Sequence, residues 1–286
     1  MKIILISAFK ANPYCTGHHL YSALTKIGHK VHHLCFRSSP VELNSFIKEN
    51  GDEFDMLLAW KGSGIGINTL EEFKGVKVLW YPDDMTTVHA QHDIERMGHL
   101  FDYIFTPIVE DVGGLEYKYG LNAYFLPCGA DLDAFREDAL AEKIYDFSFV
   151  GALYPERVNI LTRLSKITKS FYVGNCYGDE YIKVINQSRI NINCGLNFKG
   201  TQLRIFEVLA AGGFLLTNQS RYTNSVLRDG VGMFTVKNLE SVFGNYLNTP
   251  EEREAKVLYS KKIIAAHTWG CRIKELIDKA GGSTNN

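Results

Sequence analysis

The sequence predicts an α/β fold in which two Rossmann-like domains, each with a parallel sheet covered by helices, face each other across a cleft. Short apolar runs such as KIILISAF and DMLLAW alternate with segments of helical spacing, and parallel strands buried on both faces are apolar in this continuous way. The alternation restarts near Tyr145, so we place the boundary within 133–145. A chain of 286 residues is long enough for two domains of ordinary size.

The first half contains six apolar runs that predict strands, with helical segments between them. A helix over 18–27 ends at Gly28, because glycine commonly follows the last turn of a helix. Further helices are predicted over 41–49 and 67–73, and one before each of the last two strands. The predicted strands cover residues 2–9, 31–36, 55–60, 77–81, 102–107 and 123–129.

The second half repeats the pattern, and its strands are predicted at 146–153, 170–175, 190–195, 214–217 and 232–236. Pro250 and two glutamates open one of its helices, which suits a helix start. The predicted helices cover residues 156–167, 180–189, 201–210, 239–248, 250–266 and 269–280.

The composition excludes several classes of protein. Hydrophobic residues make up 45% and charged residues 22% of the chain, which is typical of a globular protein. A net charge of -1 argues against a broad basic face for nucleic acid. No apolar run has the length of a signal peptide or membrane span. The six cysteines form no C-x-x-C pair, so we expect reduced thiols in a cytoplasmic protein, with no metal site and no cofactor.

The segment KGTQLRIFEVLAAGGFLLT, residues 199–217, predicts a site for an anion and a sugar. Lys199 and Gly200 lead into a helix that Thr201 can cap. Arg204 supplies a fork of donors suited to phosphate, and Glu207 an acceptor for ribose hydroxyls. The ordinary alternative is an ion pair between these two residues, which lie three positions apart on one helix face.

This segment resembles the donor-binding segment of group 1 glycosyltransferases with the GT-B fold. It is most similar to the branch called spore maturation protein CgeB-like, where R-x-F-E-x-L-A-x-G-x-F-L-L-T is typical. The resemblance implies that Glu207 holds the ribose of a nucleotide-sugar and that Arg204 lies near its diphosphate. Many group 1 enzymes carry an acidic residue where this chain has Lys199. The matching residues are Arg204, Phe206, Glu207, Leu209, Ala210, Gly212, Phe214, Leu215, Leu216 and Thr217.

The turns after the first and third strands hold candidates for acceptor binding. Lys10, Asn12, His18 and His19 follow the first strand, and Lys61 follows the third. Ligands of open α/β sheets bind beyond the carboxyl ends of the strands. We therefore assign acceptor contacts to Lys10, Asn12, His19 and Lys61, and the role of a base to His18, since histidine titrates near neutrality. The alternative is a polar surface turn with solvated histidines, and a flexible glycine turn around Lys61.

Two adjacent aspartates, Asp83 and Asp84, follow the strand KVLWY. Adjacent acids repel each other, and this can adjust one of them for base chemistry. The alternative is that Asp84 caps the helix that follows. The CgeB-like branch often has W-F-T-D-D here, matched by Trp80, Tyr81 and the two aspartates. The resemblance implies a position in the cleft, so both aspartates are candidate catalytic residues.

Two strand ends of the second half hold further donor candidates. Gly151 permits close approach of the backbone, and Arg157 begins the next helix, where the family often carries an arginine for donor phosphate. Gly174 and Asn175 follow the next strand, where related enzymes hold the nucleobase. The alternative for Arg157 is an ordinary exposed arginine on a helix surface.

The resemblance implies a metal-independent glycosyltransferase that takes a sugar from a nucleotide-diphosphate donor. Its acceptor stays open between a small molecule, a glycan, a protein and a modified DNA base, the last not favoured by the net charge. A non-catalytic nucleotide-sugar binding protein is the alternative, and a nicotinamide-dependent dehydrogenase lacks its G-x-G-x-x-G fingerprint. The expected parts are an acceptor domain, a donor domain, and a crossing helix with a tail, over residues 1–138, 139–266 and 267–286.

Overall fold

The structure, a computed structural model, describes residues 1–9, 15–195, 199 and 202–281. The chain divides into two compact units, and each is an α/β unit with a parallel sheet, which confirms the predicted fold class. The predicted boundary after residue 138 lies within the second unit of this division. The first unit comprises Met1–Pro127 and Trp269–Asn286, and the second comprises Cys128–Thr268.

The first unit is built on six described strands, which are β1 (Lys2–Ser7), β2 (Lys30–Cys35), β3 (Met56–Trp60), β4 (Val76–Trp80), β5 (Tyr103–Thr106) and β6 (Ala123–Phe125). All pairs are parallel and the order is β2-β1-β3-β4-β5-β6. Strand β6 ends earlier than predicted, before Pro127, which has no backbone N–H for a ladder bond. The Leu126 carbonyl instead accepts a bond from the Trp80 indole Nε1 at 3.2 Å.

The helices of the first unit are α1 (Thr16–Lys26), α2 (Pro40–Asn50), α3 (Ile67–Glu72), α4 (Val88–Met97), α5 (Val109–Tyr119) and α12 (Trp269–Gly281). Two 3-10 turns cover Gly51–Glu53 and Gly98–Leu100. The last helix, α12, packs on α1 and β4. Its first residue, Trp269, is buried edge-to-face against Trp60 and Trp80, with ring centroids 6.0 and 5.6 Å away. Aromatic burial therefore attaches the end of the chain to this unit.

The second unit has five described strands, which are β7 (Tyr145–Val150), β8 (Phe171–Gly174), β9 (Ser188–Asn193), β10 (Leu215–Asn218) and β11 (Gly232–Phe234). They pair in parallel in the order β11-β10-β9-β7-β8. Their inward side chains include Phe147, Ile192, Leu216 and Phe234, which belong to one buried core. This burial explains the continuous apolar runs from which the strands were predicted.

The helices of the second unit are α6 (Pro155–Leu164), α7 (Gly178–Asn186), α8 (Leu203–Ala210), α9 (Arg221–Val226), α10 (Leu239–Asn248) and α11 (Pro250–Ile263). A 3-10 turn over Ile264–His267 ends the segment that was predicted as helix to residue 266. Helix α9 was not predicted, because it has only six residues. Its capping box between Ser220 and Thr223 is the signal that would have identified it.

Helix α8 differs from the prediction at its start and agrees at its end. Its N-cap is Gln202, with no side-chain capping bond, and the predicted cap, Thr201, lies outside the described residues. At the other end, Gly213 N donates to Val208 O at 2.9 Å and Gly212 N to Leu209 O at 3.2 Å. Gly212 has φ +69, so the two glycines terminate the helix in a Schellman motif, as glycine allows.

Candidate functional site: a pair of arginines in the second unit

The sheet of the second unit has its topological switch point between β7 and β9. From β7 the chain moves outward to β8, then returns to the other side of β7 and continues through β10 to β11. Ligands of open α/β sheets bind at the carboxyl ends of the strands at such a point. The strand order therefore directs attention to Gly151, which follows β7, and to Asn193 and Cys194, where β9 ends.

Arg157 lies at this point and joins the two strand ends. Pro155 opens α6 and places Arg157 in its first turn, where the side chain is 8% exposed. Its Nε donates to Cys194 O at 2.9 Å and its Nη1 to Ala152 O at 2.9 Å. The exposed surface arginine that was the alternative is therefore wrong, because this guanidinium is buried and bonded to carbonyls after β7 and β9.

Arg204 lies beside Arg157, on the other helix that begins at the switch point. Its guanidinium carbon is 4.8 Å from the Phe149 ring centroid, and that of Arg157 is 5.6 Å from the same centroid. The Nε atom of Arg204 is buried and has no hydrogen-bond partner. A buried donor without a partner is uncommon and costly in a folded protein. This donor is therefore available to bond a ligand at the site.

Gly151 is required by the position of Arg204. A Cβ built on Gly151 would lie 2.1 Å from Arg204 Nη2, and the backbone there has φ +143, which side-chain-bearing residues rarely adopt. Gly151 N also donates to Gly174 O at 2.9 Å, which joins the ends of β7 and β8. The structure thus brings Gly151, Gly174 and Arg204 together, as three of the predicted donor residues. Asn175, the next residue, is exposed.

The two guanidiniums repel each other electrostatically. Burial lowers the pKa of Arg157, and the nearby positive charge of Arg204 lowers it further. Within the described part of the chain, neither arginine forms an ion pair with a carboxylate. Two like charges held together in a partly buried site favour an anion that neutralises both. The arrangement can therefore bind a diphosphate.

Glu207 lies one turn along α8 from Arg204 and is held by Tyr181. The Tyr181 hydroxyl donates to Glu207 Oε2 at 3.1 Å. Arg204 and Glu207 form no ion pair among the described residues; Arg204 lies over the Phe149 ring, and Glu207 accepts from the Tyr181 phenol. Burial raises the pKa of Tyr181 well above its usual value, and the Glu207 carboxylate raises it further. The phenol therefore stays protonated and remains a donor.

Polar side chains that were not predicted hold the segment between β9 and α8. Asn193 Nδ2 donates to Gln202 Oε1 and to Thr217 Oγ1, both at 2.9 Å. Gln202 Nε2 donates to the carbonyl of Lys199 at 2.6 Å, and Gly195 N to Asn218 Oδ1 at 2.8 Å. Asparagines inside the buried strand ININ were the available signal, because a buried amide needs partners. Lys199 is half-buried; Gly200 and Thr201 lie outside the described residues.

In the first unit, Lys61 and Asp83 are brought together. Lys61 Nζ lies 2.6 Å from Asp83 Oδ2, and both side chains are about one-third exposed, at 31% and 33%. Lys61 has φ +76 and is the described non-glycine residue with positive φ. Such strain of about 1–3 kcal/mol persists where surrounding structure imposes it, often at functional sites. The predicted acceptor residue and the predicted catalytic residue are therefore direct neighbours.

Asp84 is used in the turn before α4. Its side chain is 7% exposed and Oδ1 accepts from Thr86 N at 2.8 Å. The residue that caps α4 is Thr87, whose hydroxyl accepts from Ala90 N. The predicted helix cap by Asp84 is thus wrong by position, although the aspartate does order the adjoining turn. Of the two aspartates, Asp83 has the more accessible carboxylate.

The two histidines of α1 have different surroundings. His18 Nε2 lies 3.1 Å from the carbonyl oxygen of Phe9, and because a carbonyl only accepts, Nε2 carries the proton in this bond. His19 is 5% exposed and lies parallel to Trp269, 6.4 Å between ring centroids. The predicted contact of His19 with an acceptor stays a prediction. Lys10 and Asn12 lie outside the described residues.

No group of three or more His, Cys, Asp or Glu side chains among the described residues is arranged to hold a metal ion. None of their helices combines the length and the apolar character needed to cross a membrane.

Comparison with known structures identifies the fold. Sucrose-phosphate synthase from Thermosynechococcus elongatus is 10% identical with a TM-score of 0.72, over 99% of this chain and 100% of that chain. The catalytic domain of starch synthase IV from Arabidopsis thaliana, bound to ADP and acarbose, is 8% identical with a TM-score of 0.71 over 100% of both chains. Anabaena Alr3699/HepE, solved with UDP and glucose, is 10% identical with a TM-score of 0.66, over 98% and 100%. These similarities show a GT-B fold.

Comparison of sequences identifies the family. No curated protein matches the chain. The model of the family described as glycosyl transferase-like matches residues 133–278, which is half of the chain and includes both arginines and Glu207. The chain therefore belongs to the glycosyl transferase-like family.

Proposed function

We propose that the protein transfers a sugar from a nucleotide-diphosphate-sugar to an acceptor, and that the second unit binds the donor. The observation that carries this proposal is the pair Arg157 and Arg204 at the switch point, with the buried Nε of Arg204 lacking a partner. Structures of the similar HepE contain UDP and UDP-glucose, and that of starch synthase IV contains ADP. These ligands support a nucleoside diphosphate as the anion.

The arginines would act on the leaving group. As the bond between the anomeric carbon and the diphosphate oxygen breaks, negative charge accumulates on the departing diphosphate. Arg204, with Arg157 behind it and Lys199 at the lead-in to α8, would stabilise that charge more strongly than the charge of the intact donor. This use of protein cations supports a reaction without a metal ion. The acceptor gains the sugar and loses a proton from the attacking hydroxyl or amine.

The remaining donor contacts are assigned to Glu207, Gly174 and Asn175. Glu207 would accept from the ribose hydroxyls, since its carboxylate is oriented by Tyr181. The backbone of Gly174 and Asn175, at the end of β8, would contact the nucleobase. The motif from Arg204 to Thr217 supports membership of the CgeB-like branch.

The first unit would bind the acceptor, whose chemical class stays open. Asp83 is the candidate base, because its carboxylate is partly exposed next to Lys61, whereas that of Asp84 is buried in a turn. The ion pair with Lys61 also suits a carboxylate that only orients an acceptor hydroxyl. A protein that binds a nucleotide-sugar without transferring the sugar is the alternative, and it would release no nucleoside diphosphate.

A thermal-shift screen against UDP, GDP, dTDP, ADP and their common sugars tests the proposal. A ligand at about a hundred times its Kd stabilises the folded state by about 2.7 kcal/mol. We expect a shift with one nucleotide, its loss in Arg204→Ala and Glu207→Ala, and its retention in Arg228→Ala, an exposed arginine of the same unit. Release of nucleoside diphosphate from the selected donor then separates a transferase from a binding protein. Absence of any shift would contradict the proposal.

A further inference from the structure

The side chain of Tyr181 extends from α7 toward α8, and packing fixes its position. Its side chain is 8% exposed, and its ring packs edge-to-face against Phe135, with centroids 5.9 Å apart and planes at 81°. A packed aromatic ring has few alternative rotamers, so the direction of its hydroxyl is set by the core. That hydroxyl reaches Glu207 of α8.

The phenol bonds Glu207 and lies near the positive charge of Arg204. It donates to Glu207 Oε2 at 3.1 Å. The pKa of Tyr181 is raised by burial and by the Glu207 carboxylate, while the nearby Arg204 guanidinium opposes that rise. The proposed ribose contact is therefore held in place by a buried hydroxyl that donates to the carboxylate.

The consequence concerns selectivity for the sugar of the nucleotide. The terminal torsion angle of a glutamate side chain is only weakly restricted. A carboxylate that no neighbouring donor orients can therefore turn toward whichever donor is present. A site that is built to bond a hydroxyl rejects an analogue that lacks it, because its own polar group is then left unpaired. We propose, on the basis of the proposed donor site, that Tyr181 is a positioning residue that makes Glu207 selective for nucleotides with ribose hydroxyls.

Calorimetric titration of the whole chain with UDP and ADP, and with the 2′-deoxy and 3′-deoxy form of each, tests the inference. For the nucleotide that binds, the wild type should prefer the ribonucleotide over at least one deoxy form by about tenfold or more, as expected of a hydrogen bond to a charged group. In Tyr181→Phe this ratio should fall by about threefold or more. Because both Kd values come from one preparation, loss of folded protein does not change their ratio.

Two further variants make the result specific. Glu207→Gln should also lower the ratio, and the double variant Tyr181→Phe/Glu207→Gln should lower it no further than Glu207→Gln alone, because Tyr181 acts through Glu207. Tyr222→Phe is the matched control. Tyr222 is also buried in the second unit, at 6% exposure, and its hydroxyl bonds His267 Nδ1 at 3.2 Å. It should keep the wild-type ratio.

The outcomes distinguish this inference from the proposed function. If Tyr181→Phe weakens all nucleotides equally and keeps the ratio, Tyr181 is structural and the inference is wrong. If the wild type binds ribonucleotides and deoxynucleotides equally, the inference is again wrong while the donor site stands. If no nucleotide binds the wild type, both the inference and the proposed function fail.

Discussion

Replacing Gly151 by alanine tests whether the arginine pair is the donor site. The added Cβ would lie 2.1 Å from Arg204 Nη2 and 3.1 Å from its Cζ, and real Cβ contacts are essentially never shorter than 3.0 Å. The Arg204 guanidinium is the end of a flexible side chain, so it would leave its place over the Phe149 ring. The substitution thus moves a predicted binding group without changing that group.

The expected effect of Gly151→Ala has two parts, a loss of stability and a loss of nucleotide affinity. Alanine at φ +143 introduces backbone strain of about 1–3 kcal/mol, which lowers the free energy of unfolding. Displacing Arg204 removes a charge-assisted bond to the diphosphate, worth about 1.5–3 kcal/mol. That loss corresponds to about 10- to 150-fold weaker nucleotide binding. The binding loss should therefore be large even at temperatures where the variant is fully folded.

Calorimetry with the nucleotide found in the screen measures the effect, and urea unfolding measures the strain. Gly244→Ala is the control, because Gly244 lies in α10 and a Cβ there meets nothing within 4 Å. It should bind like the wild type and gain about 0.5–1 kcal/mol of stability, as alanine does in helices. Two outcomes would show that Arg204 does not hold the diphosphate at this place. Either Gly151→Ala binds the nucleotide normally, or the loss of binding free energy in Gly151→Ala adds in full to that of Arg204→Ala when the two are combined.

Two further predictions concern carboxylates. Asp84→Ala should lower the free energy of unfolding by about 1–3 kcal/mol, because it leaves a turn amide unpaired. Asp83→Ala should change that free energy by no more than about 1 kcal/mol, since its pair with Lys61 is partly exposed, but it should reduce sugar transfer. Urea unfolding and product release measure the two effects, and the prediction is wrong if Asp83→Ala loses stability while Asp84→Ala loses transfer. The two bonds from Arg163 lower the pKa of Glu240 to about 2, so its contribution to stability is full above pH 4.5 and is lost as the pH falls toward 2. Glu240→Gln should consequently narrow the difference between the thermal midpoints at pH 6 and pH 3. If that difference is unchanged in the variant, the Glu240–Arg163 pair does not contribute to the pH dependence of stability.

Much of the fold could be predicted because its signals are local or periodic. Strands buried on both faces must be apolar throughout, so β1, β3, β7 and β10 were recognisable as short apolar runs. The end of α8 was recognisable because glycine tolerates the positive φ that Gly212 adopts. Helix α9 was missed, since six residues are too few to show a helical period. The early end of β6 was missed because apolar residues continue to Leu126, although Pro127 stops the ladder.

The roles of the site residues could be predicted only in part. The sequence made Arg157, Arg204 and Glu207 candidates by residue type and position, yet it left open whether the last two pair with each other. Nothing local indicated that Asp84 would order a turn while Asp83 met Lys61, because both are aspartates at one strand end. Tyr181 had no signal at all, since a tyrosine in an amphipathic helix is an ordinary core residue.

The sequence by itself determined two parallel sheets, the glycine-terminated helix α8, and the family-like motif that contains Arg204 and Glu207. Only the tertiary structure decided which partners those side chains have. Arg157 bonds a carbonyl 37 positions away, and Tyr181 bonds Glu207 from 26 positions away. The physical reason is that apolar periodicity and helix ends depend on neighbours within a few residues. The direction of a guanidinium or a phenol depends instead on the strand order that brings distant strand ends together.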